Sequence, residues 1–115
     1  MIRINFSGHP VAGFDLAPFV GVNLPVDSAA ALEAVIRDAL LALPYRDELL
    51  AGTQAEVIPP GMGCAVAVLL AEWHGQYGSF PRVRWAVRGS QGFGWPDEAV
   101  SDLQTVRLSA RSARR

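Results

Sequence analysis

Ala55-Glu56-Val57-Ile58-Pro59-Pro60-Gly61-Met62-Gly63, running on as CAVAVLLAEWHGQYG over 64–78, is the stretch that decides the fold. Its first four residues read as a β-strand that the two prolines end. Met62–Tyr77 reads as a helix, and its Val66, Val68, Leu69, Leu70 and Trp73 make it so apolar that burial on more than one side is expected. Gly78 fits a helix C-cap, beyond which the chain turns into another strand-like run, Val83–Val87. Strand, tight turn, helix and strand make a βαβ unit, which implies parallel pairing through a right-handed crossover.

The same alternation extends outward. Met1–Phe6 reads as a strand, followed by the loop Ser7-Gly8-His9-Pro10. Ala12–Phe19 is at best a weak short helix, because Gly13 and Pro18 both oppose it. Val20–Leu24 reads as a short strand. Ser28–Leu43 is a clear helix, capped by Asp27 or Ser28 and stopped by Pro44; Leu32, Val35, Ile36, Ala39, Leu40 and Leu43 share one face. Past the central unit, arginines 82, 84 and 88 mark Val83–Val87 as a partly exposed edge, and Gly89–Trp95 reads as a loop. A last helix is expected from about Pro96, with Asp97 and Glu98 in its first turn. The prediction is an α/β fold: a small Rossmann-like, three-layer domain on a mainly parallel sheet of about four strands. No repeat or linker interrupts it, so 1–115 reads as one domain, arginine-rich from about Arg107 through Arg111, Arg114 and Arg115.

Composition bounds what such a domain can do. The chain has 115 residues, enough for one core without staples. Half the residues are apolar, 18% are charged and the net charge is −1, with a mean hydropathy of +0.21. That balance excludes a disordered chain and points to apolar surface covered by a second copy. It also leaves no global field to hold DNA. All ten basic residues are arginine. Without lysine there is no P-loop and no Schiff-base chemistry, and phosphate recognition falls to arginine, hydroxyls, histidine or backbone amides. Cys64 is the lone cysteine, so no internal disulfide is expected; with only His9 and His74 as histidines, no metal-binding spacing appears. No signal-peptide pattern and no membrane-length apolar run is present, so a cytoplasmic protein without cofactor or membrane partner is expected.

In open α/β sheets ligands sit beyond the carboxyl ends of the strands. Ser7, Gly8, His9 and Pro10 lie there, pairing a hydroxyl with an imidazole; the pair can bind phosphate, act as a weak acid/base site, or simply form a turn. Pro60, Gly61, Met62 and Gly63 enter the apolar helix. As a dinucleotide fingerprint the run is poor, since Val66 takes the third glycine position, but a bare helix N-terminus holds an anion. Cys64 in the first turn is either a low-pKa thiol or, as we expect, a small buried hydrophobe. Arg88 ends the fourth expected strand, and Phe93 and Trp95 on the glycine-rich loop either stack on a base or pack against the last helix. His74, one helix length away, has a capping or interface role.

Two stretches, Ile4-Asn5-Phe6-Ser7-Gly8-His9-Pro10 and Pro59-Pro60-Gly61 with Leu70-Ala71-Glu72-Trp73-His74-Gly75-Gln76-Tyr77-Gly78-Ser79-Phe80-Pro81, resemble the small stand-alone Csx proteins encoded beside type III CRISPR systems. Leu103-Gln104-Thr105-Val106-Arg107 matches their "LQ..R" segment, although Gly8 stands between Ser7 and His9 where the family runs Ser-His-Pro. The resemblance touches most of the chain through short motifs. It implies kinship with CARF domains, which bind cyclic oligoadenylates, and implicates Ser7, His9, Pro10 and Gly61. The expected function is therefore to bind cyclic tetra-adenylate across a homodimer and sequester it, tempering type III antiviral signalling. One alternative is a metal-independent ring nuclease, with His9 as base and Arg88 or loop amides stabilising the developing charge. Another is an adaptor without a small-molecule ligand that docks a protein on helix 62–77.

Overall fold

A computed structural model of the chain describes residues 1–114; Arg115, the end of the expected arginine tail, lies outside the described residues. In chain order the elements are β1 (Ile2–Asn5), α1 (Ala29–Leu41), α2 (Arg46–Leu50), β2 (Ala55–Ile58), α3 (Gly63–Tyr77), β3 (Arg82–Arg84), β4 (Val87–Gly89), β5 (Gly92–Gly94), a 3₁₀ turn (Asp97–Ala99), β6 (Val100–Asp102) and α4 (Leu103–Ser112). Local signals account for most boundaries. Ser28 caps α1, its hydroxyl accepting the Ala31 N–H at 3.3 Å, and Leu32, Ile36 and Leu40 form the buried stripe. Gly78 ends α3 with φ 77°, its N–H donating to the His74 carbonyl at 2.8 Å.

The main sheet has the order β1-β2-β3-β6. β1, β2 and β3 are parallel, with Ile4 opposite Val57 and Val57 opposite Val83, and β6 closes the sheet antiparallel to β3. The fold is thus α/β on a mixed sheet of four strands. Alternation along the strands sends Ile4, Val57 and Val83 into one cluster with Leu32, Ile36 and Leu40 of α1 and Leu69 and Trp73 of α3. The strand order advances in one direction from β1 to β3, and α1 and α3, which follow successive parallel strands, pack side by side on that face. The alternate positions are polar apart from the buried Ile58: Arg3, Asn5, Glu56, Arg82 and Arg84, with Asn5, Glu56 and Arg84 buried. No helix of the described residues is long and apolar enough to cross a membrane.

Several expectations are corrected. Val20–Leu24 forms no strand: Gly21 sits at φ 76° in a turn where the Val22 N–H bonds the Phe19 carbonyl, and Val20 and Val22 are exposed. The outer edge of β1 is instead bridged at one point, Ile4 with Leu16. The run Val83–Val87 breaks after Arg84, and Gly89–Trp95 is not an open loop, because β4 and β5 pair as a hairpin around Ser90 and Gln91 with Gly92 at φ 103°. The last helix starts at Leu103 rather than near Pro96, since Asp97 and Glu98 support only a single 3₁₀ turn before β6; Asp102 caps it through Thr105 N–H at 3.4 Å. β3 is not an edge, because β6 flanks it. In α3 only Ala65, Leu69 and Trp73 are fully buried, one face rather than several, and Cys64 is exposed.

Candidate functional site

Beyond the carboxyl ends of β1 and β2 the chain builds a cleft of about 200 Å³, with Ser7 and Gly8 on one wall and Pro60, Gly61 and Met62 on the other. Phe6 and Phe19, both buried, meet beneath it with ring centroids 5.5 Å apart. The first loop is held from below by Asn5, which is fully buried. Its amide oxygen accepts the Ser7 N–H at 2.9 Å and the Ser7 hydroxyl at 2.6 Å, and its amide nitrogen donates to the His9 carbonyl. The Ser7 hydroxyl in turn accepts the His9 N–H at 3.2 Å. Gly8 sits at φ 83°, and a Cβ there would lie 3.6 Å from the Phe19 carbonyl oxygen, so a backbone conformation that side chains avoid is fitted against the Phe19 segment.

The second wall is the entry to α3. Met62 occupies the N-cap position in extended conformation with φ −110° and ψ 131°, and no side chain caps the helix. The first N–H groups of a helix have no partner within it, and here a fifteen-residue helix aims its positive dipole end at the cleft edge. A Cβ at Gly61 or Gly63 would meet open space, so the backbone on this side is accessible. No residue lining the cleft is titratable. The chemistry on offer is donation from backbone amides beside an apolar floor, a combination suited to an anion carrying an apolar group.

Of the residues expected from the sequence, Ser7, Gly8, Pro60, Gly61 and Met62 line the cleft together, and Gly63 opens the helix beside them. His9 takes part through its backbone while its side chain is exposed, and Pro10 lies in a separate shallow groove with Phe14. Arg88, Phe93 and Trp95 do not line the cleft. Arg88 and Phe93 are exposed on the hairpin, with the guanidinium 5.9 Å from the ring centroid, and Trp95 is half-buried just past it.

Two residues escaped the sequence reading. Asn5 organises the first loop, and its signal was present: an asparagine at a strand end with serine two residues on is an Asx-turn pattern. Arg84 anchors the hairpin base. Its Nε donates to Glu56 Oε2 at 2.9 Å, while its Nη1 donates to Asp97 Oδ1 at 2.9 Å and to the Trp95 carbonyl at 3.0 Å. The bond to Glu56, then that to Asp97, raises its pKa further, so it is a permanent cation. Arg3 approaches the same Glu56 at 3.9 Å. Among the described residues no group of three or more His, Cys, Asp or Glu side chains gathers as a metal site. Compared with known proteins, the chain matches no family model, no curated protein and no solved structure.

Proposed function

We propose that the cleft between the Ser7–Gly8 loop and the start of α3 binds a phosphate of a cyclic oligoadenylate, cyclic tetra-adenylate being the ligand expected, and that a homodimer holds and sequesters the ring. The observation that carries this reading is the uncapped N-terminus of α3 opening onto an unfilled cleft at the carboxyl ends of parallel strands. The adaptor reading would be favoured by that edge being plugged by the protein's own side chains, and the cleft of about 200 Å³ there is open. A space of that size takes part of a nucleotide, not a four-membered ring, so whole-ligand binding calls for two copies of the cleft across a two-fold axis. A Rossmann-like, CARF-like relationship belongs to the same proposal: β1, α1, β2, α3 and β3 supply a sheet and one helical layer of the three.

Sequestration is favoured over cleavage because the Ser7 hydroxyl is bonded to Asn5 and no titratable side chain lines the cleft. The test is incubation with labelled cyclic tetra-adenylate without metal, followed by separation of bound, free and linear species. Retention of the intact ring by a protein dimer is the expected result. Linear products ending in 2′,3′-cyclic phosphate would replace sequestration by the ring-nuclease reading, with His9 as base. Absence of both retention and cleavage overturns the proposal.

A further inference from the structure

At the opposite end of the sheet lies a second cavity of about 250 Å³, walled by the C-terminal part of α3 and by the amino ends of β2 and β3. Its lining divides by chemistry. Half-buried Tyr77 and Phe80 supply aromatic surface, backed by the buried Trp73 whose ring meets Tyr77 edge-on at 4.9 Å, and Arg82 and Asp102 supply a donor and an acceptor. The Tyr77 hydroxyl already donates to the Leu40 carbonyl at 3.2 Å, and burial raises its pKa, so it stays a neutral ring with a satisfied tip.

The polar pair is unfinished. Arg82 Nη2 stands 3.9 Å from Asp102 Oδ2, beyond hydrogen-bond reach, although the two residues face each other across the β3–β6 ladder. Arg82 Nε is buried without a partner, so the guanidinium's exposed Nη end is what can donate into the cavity. A buried N–H left unpaired is costly, and each such group in a folded protein calls for an explanation. Both side chains are partly exposed, at 40% and 35%, so they belong to the cavity's mouth rather than to a closed core.

We propose that this cavity binds a single planar heterocycle of nucleobase size that presents a ring acceptor beside an N–H donor. Arg82 donates to the acceptor, Asp102 accepts from the N–H, and the flat faces lie against the aromatic wall. Aromatic side chains take flat rings by stacking or edge contact. The volume falls below the ~300 Å³ at which sites for drug-sized ligands begin, so the space suits one base and excludes a nucleotide's full bulk. The site shares no lining residue with the cleft at the carboxyl ends.

The probe is free adenine, followed by amide chemical shifts of the full chain, with adenosine monophosphate in a second arm. Adenine is expected to shift the amides of Ser79, Phe80 and Gln104 saturably. Arg82→Gln is expected to weaken binding at least tenfold, while Arg88→Gln on the hairpin changes nothing. Should Arg82→Gln fail to fold, Thr105→Trp, placed at an exposed lining position, fills the mouth and is expected to abolish the shifts. Adenosine monophosphate shifting the same amides assigns a nucleotide's base as the source, and its failure beside adenine's success assigns the free base. No saturable shift with either probe, or equal adenine binding by the Thr105→Trp protein, overturns the proposal.

Discussion

The loop after β1 and the hairpin after β3 both leave carboxyl ends of parallel strands, and both are anchored by a buried polar residue ending its strand, Asn5 in one case and Arg84 in the other. They differ in where those anchors spend their hydrogen bonds. Asn5 bonds the loop itself, gripping Ser7 and His9. Arg84 bonds Glu56, Asp97 and the Trp95 carbonyl, all outside the hairpin, and every residue from Trp85 to Gly94 is exposed. A neutral amide fixes a wall of the cleft, whereas a buried cation fixes only the hairpin's base. That contrast explains why Ser7 and Gly8 line the cleft while Arg88 and Phe93 stand apart from it.

The largest expected effect falls on the charged anchor. Glu56→Ala strips the buried partner from Arg84, and loss of one member of a buried ion pair costs about 3–5 kcal/mol; denaturant unfolding should show it, with the midpoint falling steeply. Next, Asn5→Ala removes several bonds from one loop at about 1 kcal/mol each, so a loss of about 2–3 kcal/mol is expected. Unlike Glu56→Ala, it should also weaken retention of the cyclic ligand after correction for folded fraction; equal retention by both folded proteins would break the contrast.

Met62→Asp sharpens the comparison from the other wall. An aspartate at this extended N-cap position satisfies a free N–H and complements the dipole, stabilising the fold by about 1 kcal/mol. The same carboxylate occupies the donors assigned to phosphate, so ligand affinity is expected to fall about tenfold, or ~1.4 kcal/mol. Stability and binding moving in opposite directions is the signature to measure, and tighter binding by a more stable protein contradicts the site. The smallest effect belongs to Asp97→Ala. Its side chain is 96% exposed although it bonds the same arginine as Glu56, and an exposed pair contributes about 0–1 kcal/mol. A loss as large as that for Glu56→Ala would show that burial is not what separates the two carboxylates.

The sequence was informative where elements are long or punctuated. Ser28 and the stripe Leu32, Ile36 and Leu40 announce α1, and Pro59-Pro60 after Ala55–Ile58 marks the end of β2 where the structure has it. Three-residue strands carry too few alternations to register, so neither the β4–β5 hairpin nor β6 shows in the sequence, and the acidic pair Asp97–Glu98 looks like a helix start. Val20–Leu24 misled for the converse reason: an apolar run looks like a strand, but Val20 and Val22 lie in the exposed chain beside the Gly21 turn. In the candidate site, the residue types on both walls were legible. Their joining was legible too, because strand ends and helix entries meet by topology. The partners of Arg84 were not, since Glu56 lies 28 residues away and only sheet register brings it alongside.

The two margins of the main sheet bear on how copies of this chain can meet. One carries a single backbone bridge from Leu16 to Ile4, with the Asn5 N–H donating to the Leu16 carbonyl at 2.8 Å; the other is a strand of only three residues. Short or covered margins make poor templates for merging sheets between molecules. Self-association is accordingly expected to run through side chains, dissolving on dilution rather than ripening into fibrils.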